Sequence, residues 1–113
     1  MTDFPFRMDR PAQFTAALPD ACDVAVIGGG IIGVMTAWFL AKAGQRVVVC
    51  EKGRISGEQS GRNWGWVRQQ GRDPAELPIM VEALRMWPQL AIETGEEPAM
   101  LLTTVTTRKG MLW

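Results

Sequence analysis

The chain has 113 residues, which is enough for one small domain. Its twelve basic and twelve acidic side chains balance, so charge favours neither nucleic acid nor an anionic membrane as a partner. Histidine is absent, which excludes a histidine general base, a His-containing triad and histidine metal ligands within these residues, and no metal site is expected.

Residues 1–21 combine three prolines and three phenylalanines with charged side chains: Pro5, Pro11, Pro19, Phe4, Phe6 and Phe14. This composition predicts an extended N-terminal arm that lies over the domain, with a disordered tail as the alternative. The early charges Asp3, Arg7 and Asp9 are not typical of a signal peptide.

The next thirty residues have the pattern of a strand–helix–strand unit. Val24–Ile27 is uncharged and mostly β-branched, as in a strand buried in a parallel sheet. Three glycines follow, a helix is predicted over Ile31–Ala43, and Gly44 should end it. Arg46–Cys50 is the second predicted strand. The sequence therefore predicts an α/β fold built on a Rossmann-like βαβ unit.

Gly28, Gly30 and Gly33 match the pattern G-x-G-x-x-G. The first glycine allows the sharp turn from strand to helix, the second allows a diphosphate to approach, and the third lets helix and strand pack closely. The amides of residues 30–32 lack helical partners and lie at the positive end of the helix dipole. This arrangement predicts a dinucleotide site, the alternative being a glycine-rich turn without ligand.

Glu51 follows the second strand, eighteen residues after Gly33. A carboxylate at this position accepts hydrogen bonds from an adenosine ribose and repels the 2′-phosphate of NADP. The uncharged stretch 24–41 reaches the lower length limit of a membrane span. Its three central glycines and its strand–turn–helix pattern disfavour that alternative.

Cys22 and Cys50 have neither C-x-x-C nor metal-ligand spacing. They flank two predicted parallel strands at opposite ends, so we expect two free, half-buried thiols. Free thiols indicate a reducing compartment, and a cytoplasmic location is expected.

Residues 52–73 contain five glycines, two tryptophans and four arginines among mostly polar residues. Structureless loops of this length are functional or disordered, and the tryptophans favour an ordered loop lying against a ligand. A second helix is predicted over Pro74–Thr94, with Asp73 as its cap and Gly95 as its end. Leu101–Thr107 has strand propensity, and a turn at Arg108–Gly110 leads into a final apolar run.

Val24–Glu51 resembles the FAD-binding fingerprint of the glutathione-reductase-like flavoproteins. The segment Ser60–Arg68 is similar to the one after the second strand in the D-amino-acid oxidase family, which includes glycine and sarcosine oxidases and D-amino-acid dehydrogenases. Gly110–Trp113 is similar to the strand that begins the substrate domain of that family. Because those proteins are several times longer, we expect the chain to be the N-terminal part of such an enzyme.

The resemblance implies FAD as cofactor and assigns roles to named residues. The diphosphate would lie against Gly28, Gly30, Ile31, Ile32 and Gly33. The adenosine ribose would bind Glu51, with Lys52 beside it. Further contacts along the diphosphate and toward the isoalloxazine would come from Ser60, Arg62, Asn63, Gly65 and Trp66. With no histidine present and Cys50 on a strand, we expect non-covalent flavin binding.

The resemblance also implies a division into arm (1–21), FAD-binding domain (22–95) and the start of a substrate domain (96–113). The reaction implied is oxidation of a C–N bond in an amino acid or amine, with hydride transfer to flavin N5 and an imine product. Catalytic residues would lie beyond residue 113. The electron acceptor is left open between oxygen, a quinone and another protein.

Two other functions remain open at this point. An NAD-dependent dehydrogenase uses the same βαβ unit, although the glycine-rich segment after the second strand disfavours it. A non-catalytic nucleotide-binding module is the other alternative. An exposed parallel strand edge would then make the 113-residue chain poorly soluble and weaken its binding of FAD.

Overall fold

A computed structural model describes residues 11–63, 65–96 and 101–103. The chain divides into two compact units, residues 1–63 and 64–113. The first contains strand β1 (Val24–Ile27), helix α1 (Ile31–Lys42), strand β2 (Val47–Cys50) and a 3₁₀ turn at Gln59–Gly61. The second contains strand β3 (Trp66–Arg68), helix α2 (Leu77–Thr94) and strand β4 (Leu101–Thr103).

The first unit is the predicted βαβ unit. Strands β1 and β2 are parallel, with Val24 opposite Val47 and Ile27 opposite Cys50. The ladder continues beyond the strands, because the Gly28 N–H donates to the Cys50 carbonyl over 2.8 Å. Both cysteines are free and half-buried, as expected. The prediction of strand, helix and strand is confirmed, with each boundary within one residue.

The membrane-span alternative for residues 24–41 is wrong, because this stretch is divided between a strand, a glycine turn and a helix. Within the parts of the chain that the structure describes, no helix combines the length and apolar character needed to cross a bilayer.

An ion pair joins the starts of the two strands. The Arg46 guanidinium donates to both carboxylate oxygens of Asp23, at 2.8 and 3.1 Å, and the Arg46 backbone N–H donates to the same carboxylate at 2.8 Å. These bonds lower the pKa of Asp23. Exposed pairs of this kind stabilise proteins only modestly, so we assign this pair mainly to fixing the strand register.

Helix α1 packs on one face of the β1–β2 sheet. Val26 faces the helix at Gly33, whereas Ile27, the next residue, lies on the opposite face and is 90% exposed. The helix ends as predicted. Gly44 has a φ of +83°, in the left-handed region that glycine adopts without strain, and its N–H donates to the Ala41 carbonyl.

The second unit has a parallel pair of strands, with Trp66 opposite Leu101 and Arg68 opposite Thr103. Helix α2 contacts β3, and its Leu84, only 8% exposed, is the buried apolar side chain among the described residues. The ordered loop predicted over residues 52–73 contains two short regular elements that the prediction did not include. The prediction missed both the 3₁₀ turn and β3, because a three-residue strand is too short to show alternation.

Helix α2 begins at Leu77, three residues after the predicted start. Asp73 does cap this region, since its carboxylate accepts the Ala75 N–H at 2.8 Å, but the capped element is a turn. Pro78 gives the physical reason: a helix starting at Pro74 would require the N–H that Pro78 lacks. The C-terminal prediction is confirmed, because Gly95 has a φ of +72° and caps the helix through the Ala91 carbonyl.

The strand predicted over Leu101–Thr107 is confirmed for Leu101–Thr103. Its remainder, the turn at 108–110 and the last apolar run lie outside the described residues. Of the predicted N-terminal arm, residues 11–21 have neither helix nor strand, and all of them are exposed. Gln13 nevertheless hydrogen-bonds to Gly53 and Ile55, just after β2.

Candidate nucleotide-binding site

The glycine loop between β1 and α1 combines a left-handed backbone at Gly28 with close contacts at Gly30 and Gly33. Gly28 has a φ of +110°. A Cβ on Gly33 would lie 1.9 Å from the carbonyl oxygen of Gly28, so helix and loop meet backbone to backbone. A Cβ on Gly30 would lie 3.1 Å from Ser60 Oγ. The turn at Gly28 and the close packing at Gly33 agree with the roles that the sequence pattern predicts, and the approach of a diphosphate at Gly30 stays a prediction.

The amino end of α1 carries amides that the helix itself does not use. The first helical hydrogen bond runs from the Val34 N–H to the Gly30 carbonyl, at 2.9 Å, which leaves the N–H groups of residues 31–33 without an intrahelical acceptor. Gly30 has no side chain with which to cap them, and the first turn has no acidic residue. This helix end is suited to an anion.

Ser60 supplies the cap that Gly30 cannot provide. Its Oγ accepts the Ile31 N–H at 2.8 Å, from a position 29 residues further along the chain. The 3₁₀ turn at Gln59–Gly61 holds this hydroxyl over the helix end. A serine hydroxyl also donates, so Ser60 can bind the Ile31 amide and an anionic oxygen at the same time.

Glu51 joins the glycine loop to the chain that follows β2. One carboxylate oxygen accepts the Gly29 N–H at 2.8 Å and the other accepts the Gly53 N–H at 2.7 Å. The N–H groups of Gly53 and Gly29 hold the pKa of the Glu51 carboxyl below its ordinary value. Each oxygen keeps a further lone pair, so the fixed carboxylate can accept hydroxyl donors from a ligand.

These bonds predict a pH dependence of stability. Because the pKa of Glu51 is lower in the folded chain, its contribution is complete above the unfolded pKa of about 4.3 and is lost as pH falls through the folded value. Thermal unfolding from pH 7 to pH 3 should show the unaltered chain more stable than Glu51→Gln at neutral pH. The difference should shrink below about pH 4.3. A difference that stays constant down to pH 3 would contradict the bonding seen at Glu51.

A second charged pair lies beside Glu51. Lys52 Nζ is 2.7 Å from Glu58 Oε1, and this carboxylate raises the pKa of the lysine. The Arg62 guanidinium opposes the effect and lowers it. The pair links the residue after Glu51 to the segment that leads into the 3₁₀ turn.

Two grooves meet at the glycine loop, and Gly28, Gly30 and Ser60 line both. The first, of about 520 Å³, lies over the amino end of α1 and is lined mainly by apolar side chains and backbone, together with Thr36 and Asn63. The second, of about 330 Å³, is also lined mainly by apolar and backbone atoms, but it includes the charged residues 51, 52 and 58. Of these two grooves, the second is therefore the one that includes carboxylates, whereas the first includes the amino end of α1.

The structure brings most of the predicted site residues together. The two grooves are lined by Gly28, Gly30, Ile31, Ile32, Gly33, Glu51, Lys52, Ser60 and Asn63. Arg62 lies in the same unit but lines neither groove. Gly65 and Trp66 belong to the second unit, where Gly65 has a φ of +66° and Trp66 begins β3.

Sequence reasoning missed Gly29 and the turn after β2. Gly29 is buried, and a Cβ there would lie 2.6 Å from Ile55 Cδ1 and 3.1 Å from the Glu51 side chain. A side chain at this position would therefore displace the Ile55 side chain and crowd that of Glu51, and the run of three consecutive glycines is the sequence signal. Ser56, which donates its N–H to the Gly29 carbonyl at 2.9 Å, has no comparable signal.

Comparison with known proteins gives a consistent set of relatives. Residues 23–109 match the family described as FAD dependent oxidoreductase, DAO. The chain is 42% identical over 78 residues to the gamma-glutamylputrescine oxidoreductase of Escherichia coli, covering 66% of this chain and 18% of that protein. It is 33% identical over 91 residues to a D-amino acid dehydrogenase of Paramagnetospirillum magneticum, covering 80% and 20%.

Solved structures agree with these relatives. The chain resembles the L-amino acid deaminase of Proteus myxofaciens, solved in complex with anthranilate, with a TM-score of 0.69 and 38% identity. The likeness covers 73% of this chain and 18% of the deaminase. The chain thus spans about one fifth of the length of the curated relatives it matches.

Proposed function

This chain belongs to the family of FAD-dependent oxidoreductases, and from that premise we propose that it binds the ADP half of FAD in an enzyme oxidising the C–N bond of an amino acid or amine. The observation that carries the proposal is Glu51. Its carboxylate lies at the glycine loop, where it accepts hydrogen bonds from the Gly29 and Gly53 amides. It lines the groove next to the one over the amino end of α1.

The diphosphate is assigned to the groove over α1. There Gly28, Gly30 and Gly33 leave the backbone uncovered by side chains. The Ile32 N–H lies at the positive end of the helix and is available to an anion, whereas the Ile31 N–H donates to Ser60. The Ser60 hydroxyl, already bound to the Ile31 amide, completes the donor set. These residues fit a diphosphate sterically and electrostatically.

The adenosine ribose is assigned to the charged groove. The Glu51 carboxylate is ionised at neutral pH and already oriented by two amides, so it accepts ribose hydroxyls without reorganisation. Its charge, together with that of Glu58, opposes a 2′-phosphate. Lys52, paired with Glu58, closes the side of this groove.

The remaining predicted contacts extend the proposal toward the flavin ring. Arg62, Asn63, Gly65 and Trp66 are assigned to the path from the diphosphate to the isoalloxazine, as the resemblance implies. FAD supplies hydride acceptance when bound, while these residues orient it. We retain the division into arm (1–21), FAD-binding domain (22–95) and the beginning of a substrate domain (96–113).

Two observations support finer assignments. The relatives are named for amino acids or an amine, which supports a C–N bond as the point of oxidation. The free thiols of Cys22 and Cys50 support a reducing compartment, and a cytoplasmic location is proposed. Oxygen, a quinone and another protein are the electron acceptors that fit this chemistry.

Competition binding tests the cofactor assignment. In equilibrium dialysis, the 113-residue chain should bind FAD with a dissociation constant below about 1 mM. ADP should compete, because the assigned contacts are to the ADP half, whereas riboflavin should not. Adenosine 2′,5′-bisphosphate should compete more weakly than AMP, which has the same 5′-phosphate and no 2′-phosphate, because of repulsion by Glu51. Binding of riboflavin as tight as that of FAD, or no binding of FAD and ADP at millimolar concentration, would overturn the assignment.

A further inference from the structure

The N-terminal segment has one specific attachment in the part of the chain that the structure describes. Gln13 donates its backbone N–H to the Gly53 carbonyl at 2.7 Å, and its side-chain Oε1 accepts the Ile55 N–H at 3.0 Å. The other described residues of this segment, up to residue 21, are exposed. Two bonds from one residue, through backbone and side chain, fix both its position and its orientation.

Gln13 hydrogen-bonds to a strained turn, residues 53–57. Ser56 has a φ of +56°, in the left-handed region that non-glycine residues adopt only at an energetic cost. The Gly57 N–H closes the turn on the Arg54 carbonyl at 3.0 Å. Such a conformation persists only where surrounding bonds impose it. The two bonds to Gln13 are among those that hold residues 53–55 of this turn.

The 53–57 turn also binds the glycine loop through a backbone hydrogen bond. The Ser56 N–H donates to the carbonyl of buried Gly29 at 2.9 Å, while the Gly29 N–H is bound by Glu51. A trans peptide is planar, so fixing the Gly29 carbonyl toward Ser56 directs the Gly30 N–H the opposite way. Gly30 lines both grooves. The direction of a donor in the proposed diphosphate site therefore depends on the turn.

We propose that Gln13 is a positioning residue for the dinucleotide site, acting through the 53–57 turn on Gly29; the inference rests on the function proposed above. The N-terminal segment thereby becomes part of the cofactor-binding apparatus without touching the ligand. Its contribution is preorganisation, because a loop already held in its bound geometry loses less entropy on binding.

The test uses three variants of the full 113-residue chain. Gln13→Ala removes the acceptor for the Ile55 amide, Gln13→Glu keeps an oxygen there, and Gln45→Ala is a matched exposed glutamine after α1 in the same unit. Isothermal titration with ADP should give a dissociation constant about fivefold higher for Gln13→Ala. Gln13→Glu and Gln45→Ala should stay within about twofold of the unaltered chain.

Amide hydrogen exchange provides the readout that distinguishes positioning from a general loss of stability. In Gln13→Ala, exchange should accelerate at Ile55, Ser56 and Gly29, whereas amides of β1 and the middle of α1 should be unchanged. Acceleration throughout the unit, or unchanged ADP affinity despite faster exchange in the turn, would overturn the proposal.

The same experiment separates this inference from the proposed function. If the unaltered chain fails to bind ADP, the cofactor assignment fails. Hydrogen exchange alone then tests whether Gln13 positions Gly29 through the 53–57 turn. Faster exchange confined to Gly29 and the turn would support it, and unchanged exchange at Ser56 and Gly29 would refute it.

Discussion

Gly33→Ala is expected to destabilise the first unit by about 3 kcal/mol and to abolish FAD binding. The added Cβ would lie 1.9 Å from the carbonyl oxygen of Gly28 and 3.3 Å from the Val26 side chain. The first of these atoms belongs to the backbone, so no rotamer change relieves the clash. Helix α1 must move away from the strand and the loop. Chemical denaturation followed by circular dichroism, together with FAD titration, measures both effects.

Gly53→Ala is the matched control for this prediction. A Cβ at Gly53 would meet only Glu51 Oε1, at 3.6 Å, which is ordinary van der Waals contact, and the Gly53 N–H would still donate to Glu51. Its stability should change by less than about 1 kcal/mol. If Gly33→Ala were as stable as Gly53→Ala and still bound FAD, the close packing of α1 on the glycine loop would be disproved.

Glu51→Gln is expected to raise the dissociation constants of FAD and ADP about tenfold or more. The substituted amide has one oxygen acceptor where the carboxylate has two, so either the Gly29 or the Gly53 N–H faces an NH₂ group. The ribose hydroxyls would also lose a charged acceptor, and charge-assisted hydrogen bonds are the stronger kind. Isothermal titration with ADP and FAD measures the change.

A control variant and a second ligand separate the effect of the Glu51 charge from other effects of the substitution. Glu82→Gln removes a carboxylate that is exposed on α2 in the second unit, and its ADP affinity should equal that of the unaltered chain. Competition by adenosine 2′,5′-bisphosphate should improve relative to AMP in Glu51→Gln, because the repelling charge is gone. Unaltered affinity for both ligands in Glu51→Gln would show that the carboxylate serves the loop structure alone.

The βαβ unit was predictable because each of its elements has a local cause. Strand β1 is uncharged and largely β-branched, the turn contains three glycines, and Gly44 provides a left-handed helix end. The role of Glu51 was predicted from its place at the end of the second strand, eighteen residues after Gly33. None of these inferences required knowledge of distant contacts.

The features that sequence reasoning missed depend on contacts between distant residues. Ser60 caps α1 from 29 positions away, and Gln13 reaches a turn 40 or more residues along the chain. Strand β3 is defined by its pairing with β4, not by a pattern within its three residues. Propensity and periodicity describe neighbours in sequence, so they carry no signal for such partners.

The in-register pairing of Ile27 with Cys50 has a consequence for recognising such sites in other chains. Ile27 precedes the first glycine and pairs with Cys50, and the acidic residue, Glu51, follows Cys50 directly. The acidic residue is therefore located by strand pairing. The number of residues in the crossover between the two strands does not enter this rule. A chain with an extra helical turn in that crossover would preserve the same geometry. A search that tolerates variable crossover length while demanding this cross-strand relation would therefore find members that a fixed-interval motif overlooks.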